Sequence, residues 1–311
     1  DRGVFGYFGI ALFAGFLLAN QNPINADLRK NVNSPFWAST ISQIIGVVFL
    51  GTISLLLTGD LFPSTEFVQS HPAWIWIGGL LGPVYVTSNV FLFPRLGAVQ
   101  TVILPILGQI LTGVVIDSFG WFYAVQIPMS PIRILGIIVT ILGLFIAVVL
   151  PSLREKAGQV EAEPNLMLWR LWAIISGSFT AVQQAINGHL GTLLHRPFQA
   201  SFMSFFIGLI AIVCVTLVIE RRLITKVELG KIKKWNILGG IWGAFFVLGA
   251  VLAVPKIGAG LNIMMALLGQ IIGSMLVQQF GWWRSDRYPI RLIQVAGVAV
   301  MLVGIICIKF L

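Results

Sequence analysis

The sequence predicts an all-α polytopic membrane protein of ten transmembrane helices, built as two inverted five-helix repeats. Three observations predict it. The 311-residue chain is 57% hydrophobic and only 10% charged, with a mean hydropathy of +0.93, whereas a soluble domain carries about 25% charged residues. So few charges cannot cover that much apolar surface, and the lipid bilayer must be the solvent for most of it. Residues 78–121 and 239–282 align without gaps at an offset of 161 and match at 15 of 44 positions, among them Gly82/Gly243, Pro94/Pro255, Gly97/Gly258, Gly108/Gly269, Gln109/Gln270 and Gly120/Gly281. Each half also holds five apolar runs. Five is odd, so the second repeat starts on the opposite side of the bilayer from the first.

A transmembrane helix needs about 20 mostly apolar residues. The first half supplies runs at 3–26, 35–58, 72–93, 98–118 and 130–150. The second supplies 168–190, 197–219, 235–254, 259–280 and 289–310. The first run feeds a polar motif that the second half repeats, so it is expected to be a mature helix rather than a signal peptide. Pro23 should kink it and free backbone carbonyls. The sixth run restates it, because Ala19, Gln21, Ile24, Asn25 and Leu28 recur as Ala181, Gln183, Ile186, Asn187 and Leu190. The seventh restates the second: Pro35-Phe36, Ser39, Ser42 and Gly46 recur as Pro197-Phe198, Ser201, Ser204 and Gly208. Gly78, Gly79 and Gly82 open the third run, Gly239, Gly240 and Gly243 repeat them in the eighth, and such spacing lets helices approach closely. The PRLGA and PKIGA segments (94–98 and 255–259) are expected to turn the chain between runs three and four, and eight and nine. The polar stretch 152–165 is then a linker between a first repeat at 1–151 and a second at 166–311.

Charge sets the expected orientation. The odd-numbered connections carry 15 Lys and Arg, against 5 on the other side with both termini. The odd connections should face the cytoplasm and both termini the exterior of a prokaryotic inner membrane. The net charge of +9 does not indicate nucleic acid, since no stacking aromatics interleave with the basic residues. Cys214 and Cys307 lie in apolar runs and are expected to pack as small hydrophobes. Most tryptophans fall near run ends as aromatic belts; Trp76 and Trp242 lie deeper and are candidates for a cavity wall. No metal spacing, phosphate loop or hydrolase motif occurs, so no enzyme activity, cofactor or metal site is expected.

The polar residues inside the runs are the candidate site. All 11 Asp and Glu fall at run ends or in connections. A carrier that exchanges protons for organic cations needs a carboxylate within the bilayer, so weak proton coupling is expected. That leaves His189 as an intramembrane group able to titrate near neutral pH, either an interfacial histidine at a helix end or a proton relay. Amides fill the runs instead. Gln21 and Asn25 share one helix face, and Gln183 and Asn187 repeat the pair. Asn20, Asn22 and Gln184 add to the cluster. Gln109 and Gln270 sit mid-run, where facing lipid would be costly. These amides either bond helices together or, brought to a common axis by the inverted repeats, line one polar centre. The third run adds Tyr85, Thr87, Ser88 and Asn89, where its twin has apolar residues or glycine. That asymmetry points to an asymmetric ligand or to hydroxyl-to-backbone bonding.

The five-plus-five runs, the N-P-x-N cluster ending the first run and the P-[RK]-x-G-A segments resemble the drug/metabolite transporter superfamily. The continuation through G-Q to F-G-W is most similar to its YdcZ-type branch, commonly a single five-helix unit, of which this chain looks like a fused pair. The resemblance implies an EamA-like basket with a central cavity lined by helices 1, 3, 4, 6, 8 and 9. Two features depart from it: relatives usually keep both termini in the cytoplasm, and the deep glutamate of the small multidrug members is missing. Together these imply a secondary transporter moving a small polar, neutral or zwitterionic metabolite by alternating access, with a monomer sufficient for a complete path. A channel is one alternative, and a lipid carrier or non-transporting membrane subunit another.

Overall fold

The computed structural model describes residues 2–124, 126–150, 165–285, 287 and 289–310, whose regular structure is helical. The expected linker lies outside the described residues except for Asn165. In chain order the α-helices are α1 (Arg2–Val32), α2 (Pro35–Thr58), the short α3 (Thr65–Ser70), α4 (Gly78–Phe119) and α5 (Pro131–Leu144). The second half has α6 (Leu166–Leu194), α7 (Pro197–Glu220), the short α8 (Lys226–Lys231), α9 (Leu238–Ile257), α10 (Ala259–Phe280) and α11 (Leu292–Phe310). Among the described residues, five segments are long and apolar enough to cross a membrane: Gly3–Val32, Pro35–Thr58, Pro197–Glu220, Lys234–Ile257 and Ala259–Phe280.

Local chemistry sets the ends. Ser34 caps α2, its hydroxyl accepting the Trp37 N–H at 3.1 Å, and Gly59 closes the helix at φ 79°. α1 runs six residues past the expected 26 because its polar last turns find partners. Asp27 binds Lys233 at 3.1 Å and Asn236 at 3.0 Å, and Asn31 donates to Asn236. α5 ends in a π-helical turn at Phe145–Val149.

The turn expected at 94–98 takes an unexpected form. Helical backbone extends over the 42 residues of α4, which would be about 63 Å long if straight, twice the hydrocarbon core. It is not straight. Leu92 and Leu104 pack in one cluster with Leu166, Trp169 and Ala173, although a straight helix would separate them by about 18 Å. Gly78 at one end faces Asn187, while Trp74 and Tyr123, flanking both ends, stack on His189. The chain therefore reverses between Leu92 and Leu104 as a helical hairpin. In the second half the same segment is an open break, with Gly258 at φ 88° between α9 and α10.

The core is made by pairing helices across the halves. α1 lies along α9 and α10, α6 along α4, α2 against α7, and α5 against α11. Backbone contact sets the two central crossings. A Cβ on Gly15 would overlap the Ala266 carbonyl, and one on Gly269 the Leu12 carbonyl. The twins repeat this: Gly177 meets the Pro105 carbonyl and Gly108 the Ile174 carbonyl. Small residues at both crossings let dispersion replace the hydrophobic effect as the packing force.

Candidate functional site: a cavity between the two halves

An open cavity of about 450 Å³ lies against the middle of α1. Among the described residues its walls are Phe16, Leu17 and Asn20 from the first half, and Trp242, Trp282 and Trp283 from the second. Trp242 stands in the opening turns of α9. Trp282 and Trp283 occupy the F-G-W turn that ends α10, where Gly281 (φ 64°), Trp283 (φ 61°) and Arg284 (φ 59°) are left-handed. Gly120, Phe122 and Tyr123 repeat that conformation after α4, so the turn is written into both halves. Left-handed backbone at bulky residues is strained and persists only where its surroundings hold it. Here the Trp283 indole N–H donates to Asn20 Oδ1 at 2.8 Å, and the Asn20 amide donates to the Phe16 carbonyl at 2.9 Å. Phe16 and Trp282 meet edge to face, with centroids 6.4 Å apart.

A polar lattice ties this end together. Trp283 packs on Trp235 at 5.9 Å, and Lys233 Nζ lies 5.3 Å from the Trp235 ring while pairing with Asp27. Beyond it, Arg222 forms a two-armed pair with Glu228 at 2.8 and 3.3 Å and donates to the Val32 carbonyl. The Thr225 N–H and Asn33 amide also donate to Glu228. Its carboxyl is pushed down to about 2, first by the Arg222 hydrogen bond and then by Thr225. The 221–236 connection is thereby stapled to the end of α1.

Of the expected site residues, Trp242 lines this cavity, and its indole N–H is buried without a hydrogen-bond partner. The paired amides sit elsewhere, on glycines. Gln21 and Asn25 press against Gly243 and Gly239 of α9; Gln183 and Asn187 press against Gly82 and Gly78 of α4. Each GGxxG set is thus the seat of a twin amide pair from the other half. The first pair lies past the midpoint of α1 and the second past that of α6, so the two point toward opposite ends of the fold. Asn25 Oδ1 is buried without a partner. Gln109 is buried and Gln270 half-buried, each adjoining a crossing glycine, Gly108 or Gly269.

The remaining candidates have local partners. Ser88 donates to the Val84 carbonyl at 2.8 Å and accepts the Trp172 indole N–H at 3.2 Å, the hydroxyl-bonding alternative. Tyr85 is half-buried, and the side chains of Asn22, Thr87 and Asn89 lie outside the described residues. His189 stacks on Tyr123 at 4.8 Å and Trp74 at 5.4 Å in an aromatic cluster at the end of α6.

Two polar contacts were not legible in the sequence. Asn262 donates to Gln184 Oε1 at 2.7 Å, both residues buried, linking α10 to α6. Asp117 accepts the backbone N–H groups of Ala259 at 2.8 Å and Gly260 at 2.7 Å, with Arg133 at 3.7 Å. The one available signal was the glycine of PKIGA, whose helix start needs an acceptor.

Comparison with known proteins agrees with this architecture. The family described as "Putative inner membrane exporter, YdcZ" matches twice, over residues 6–146 and 168–307. The inner membrane protein YdcZ of Escherichia coli (strain K12) is 26% identical over 106 residues, which is 34% of this chain and 70% of that protein. A solved structure described only as "Crystal structure of protein" superposes with a TM-score of 0.65 over 96% of each chain at 15% identity, a likeness of fold alone. The double match and the helix pairing across the halves agree: this chain belongs to the YdcZ family of the drug/metabolite transporters, as a fused pair of its units in a multi-pass inner-membrane protein.

Proposed function

We propose that the protein is a secondary carrier that moves a small neutral or zwitterionic solute by alternating access between its halves. The observation that carries this is the cavity whose walls come from both halves: α1 from one, the start of α9 and the turn after α10 from the other. Relative motion of the halves would change such a cavity's access, whereas a cavity inside one unit would travel with it. Counting α4 as two passages gives ten, arranged as inverted repeats. No charged side chain is among the described lining residues, which favours a solute without net charge. Asn20 supplies polar contacts, and Phe16 and the tryptophans supply apolar ones.

In this scheme the glycine seats are sliding surfaces. Gln21, Asn25, Gln183 and Asn187 lie on flat glycine faces, where no side chain interlocks with them, and rocking would bring them to the solute path. Gln109 and Gln270 adjoin the two crossings about which the halves would turn. The stapled end, with its excess of Lys and Arg, faces the cytoplasm. Membrane-impermeant labelling of a cysteine placed at Lys231 in intact cells tests that orientation: it should fail, and ready labelling would reverse it. Counterflow in proteoliposomes tests the carrier itself.

A further inference from the structure

Asp117 is 0% exposed and Arg133 4% exposed, at the end of the fold opposite the cavity. α10 joins the two places. Its first N–H groups rest on Asp117, and its last turn leads into the tryptophans, 22 residues and about 33 Å away. The Asp117 carboxylate accepts from Ala259 and Gly260, but its approach to Arg133 Nη2, at 3.7 Å, is an ion pair without a hydrogen bond. Arg133 Nε and Nη2 are both buried without a hydrogen-bond partner, while Nη1 donates to the Ile127 carbonyl at 3.3 Å. This buried polar cluster is only partly satisfied, the condition in which a second arrangement lies close in energy.

We propose that Asp117 is a proton-binding site, and that taking up the proton opens the end of the fold where α4, α5 and α10 meet. A neutral Asp117 would leave Arg133 as an uncompensated buried cation, with two of its donors already unpaired. Water reaching Arg133 relieves that, so protonation and opening are linked. Among the described residues, the charged groups facing Asp117 are few. α5 contributes Arg133, the start of α10 contributes backbone N–H groups only, and the 126–127 segment has no titratable side chain. Lys256, near the end of α9, is exposed, and Tyr123 with His189 forms the neighbouring stack. Asp117 stands at a helix end, where position along the sequence discounts it; its burial does not. Its use as a coupling site rests on the carrier proposed above, but the proton-linked opening does not.

Hydrogen exchange of the purified protein at 258–262 tests this without any solute. After scaling times for intrinsic amide chemistry, protection of Ala259 and Gly260 should fall at least about tenfold between about pH 8 and pH 5. Asp117→Asn, which keeps an acceptor but cannot titrate there, should make protection independent of pH. Asp117→Glu should keep the dependence with a displaced midpoint, and it serves as the test if the Asn variant does not fold. Flat protection in the unmodified protein would overturn the proposal. So would a pH dependence that survives Asp117→Asn, a midpoint unmoved in Asp117→Glu, or a dependence lost in His189→Gln.

Discussion

Asp117 accepts the backbone N–H of Gly260 at 2.7 Å, so a residue of the first half caps a helix of the second. The twin of Asp117 at offset 161 is Gln278, so the other half has no carboxylate at the matching position. A carboxylate can satisfy an open helix start at Gly258.

Removing either member of the Asp117–Arg133 pair should therefore be severe. Asp117→Ala or Arg133→Met alone leaves a buried charge unpaired, at a cost of about 3–5 kcal/mol. The double variant removes both charges and should cost less than the two singles added together. Unfolding of all three variants in detergent measures the coupling. Strict additivity would show that the two side chains do not interact.

The crossings make a second prediction. Gly15→Ala, Gly108→Ala, Gly177→Ala and Gly269→Ala each force a methyl into a facing carbonyl, and should cost about 1–3 kcal/mol. Gly3→Ala, Gly6→Ala and Gly9→Ala meet nothing within 4 Å and serve as controls. Equal thermal stability in the two sets would refute the packing described.

The stapled connection should show an acid limit. Glu228 is held at about 2, below its ordinary 4.5, by Arg222 and Thr225. A depressed carboxylate contributes its full stabilisation above the ordinary value and loses it as pH falls toward the depressed one. Protection of the 221–236 connection from proteolysis should therefore decline between about pH 4.5 and about pH 2, and Glu228→Gln should remove that part of the decline. A profile unchanged by the substitution would separate the staple from Glu228.

Much of the fold was legible because lipid leaves few options. Apolar runs of spanning length must be helices, and the duplication showed that one unit was used twice. The predicted bounds 35–58 and 259–280 coincide with α2 and α10. The end of α1 was set short because the partners of Asp27 and Asn31, such as Lys233 and Asn236, lie some 200 residues away. The site was less legible. Polarity singled out Gln21, Asn25, Gln183 and Asn187, but not what they face, which is glycine. The tryptophans of the F-G-W turn read as membrane belts. Only the left-handed backbone at Trp283, invisible in composition, brings one of them onto Asn20.

The crossing amides separate ligand contact from helix bonding. If Gln109 and Gln270 reach the solute path, Gln→Leu at either should weaken solute-induced thermal stabilisation by roughly three- to tenfold in affinity, with the unliganded protein equally stable. If they only join helices, stability falls and affinity does not. Unchanged affinity in both variants would remove them from the site.

Counterflow tests the carrier most directly. Neutral and zwitterionic metabolites that stabilise the purified protein thermally would be loaded in excess into proteoliposomes, with a trace of labelled solute outside. A carrier predicts saturable uptake that transiently exceeds the outside concentration of the label and depends on the inner load. Trp242→Ala and Trp283→Ala should weaken it. Labelled solute that merely equilibrates, without saturation and whatever the inner load, would contradict alternating access and make the protein a channel.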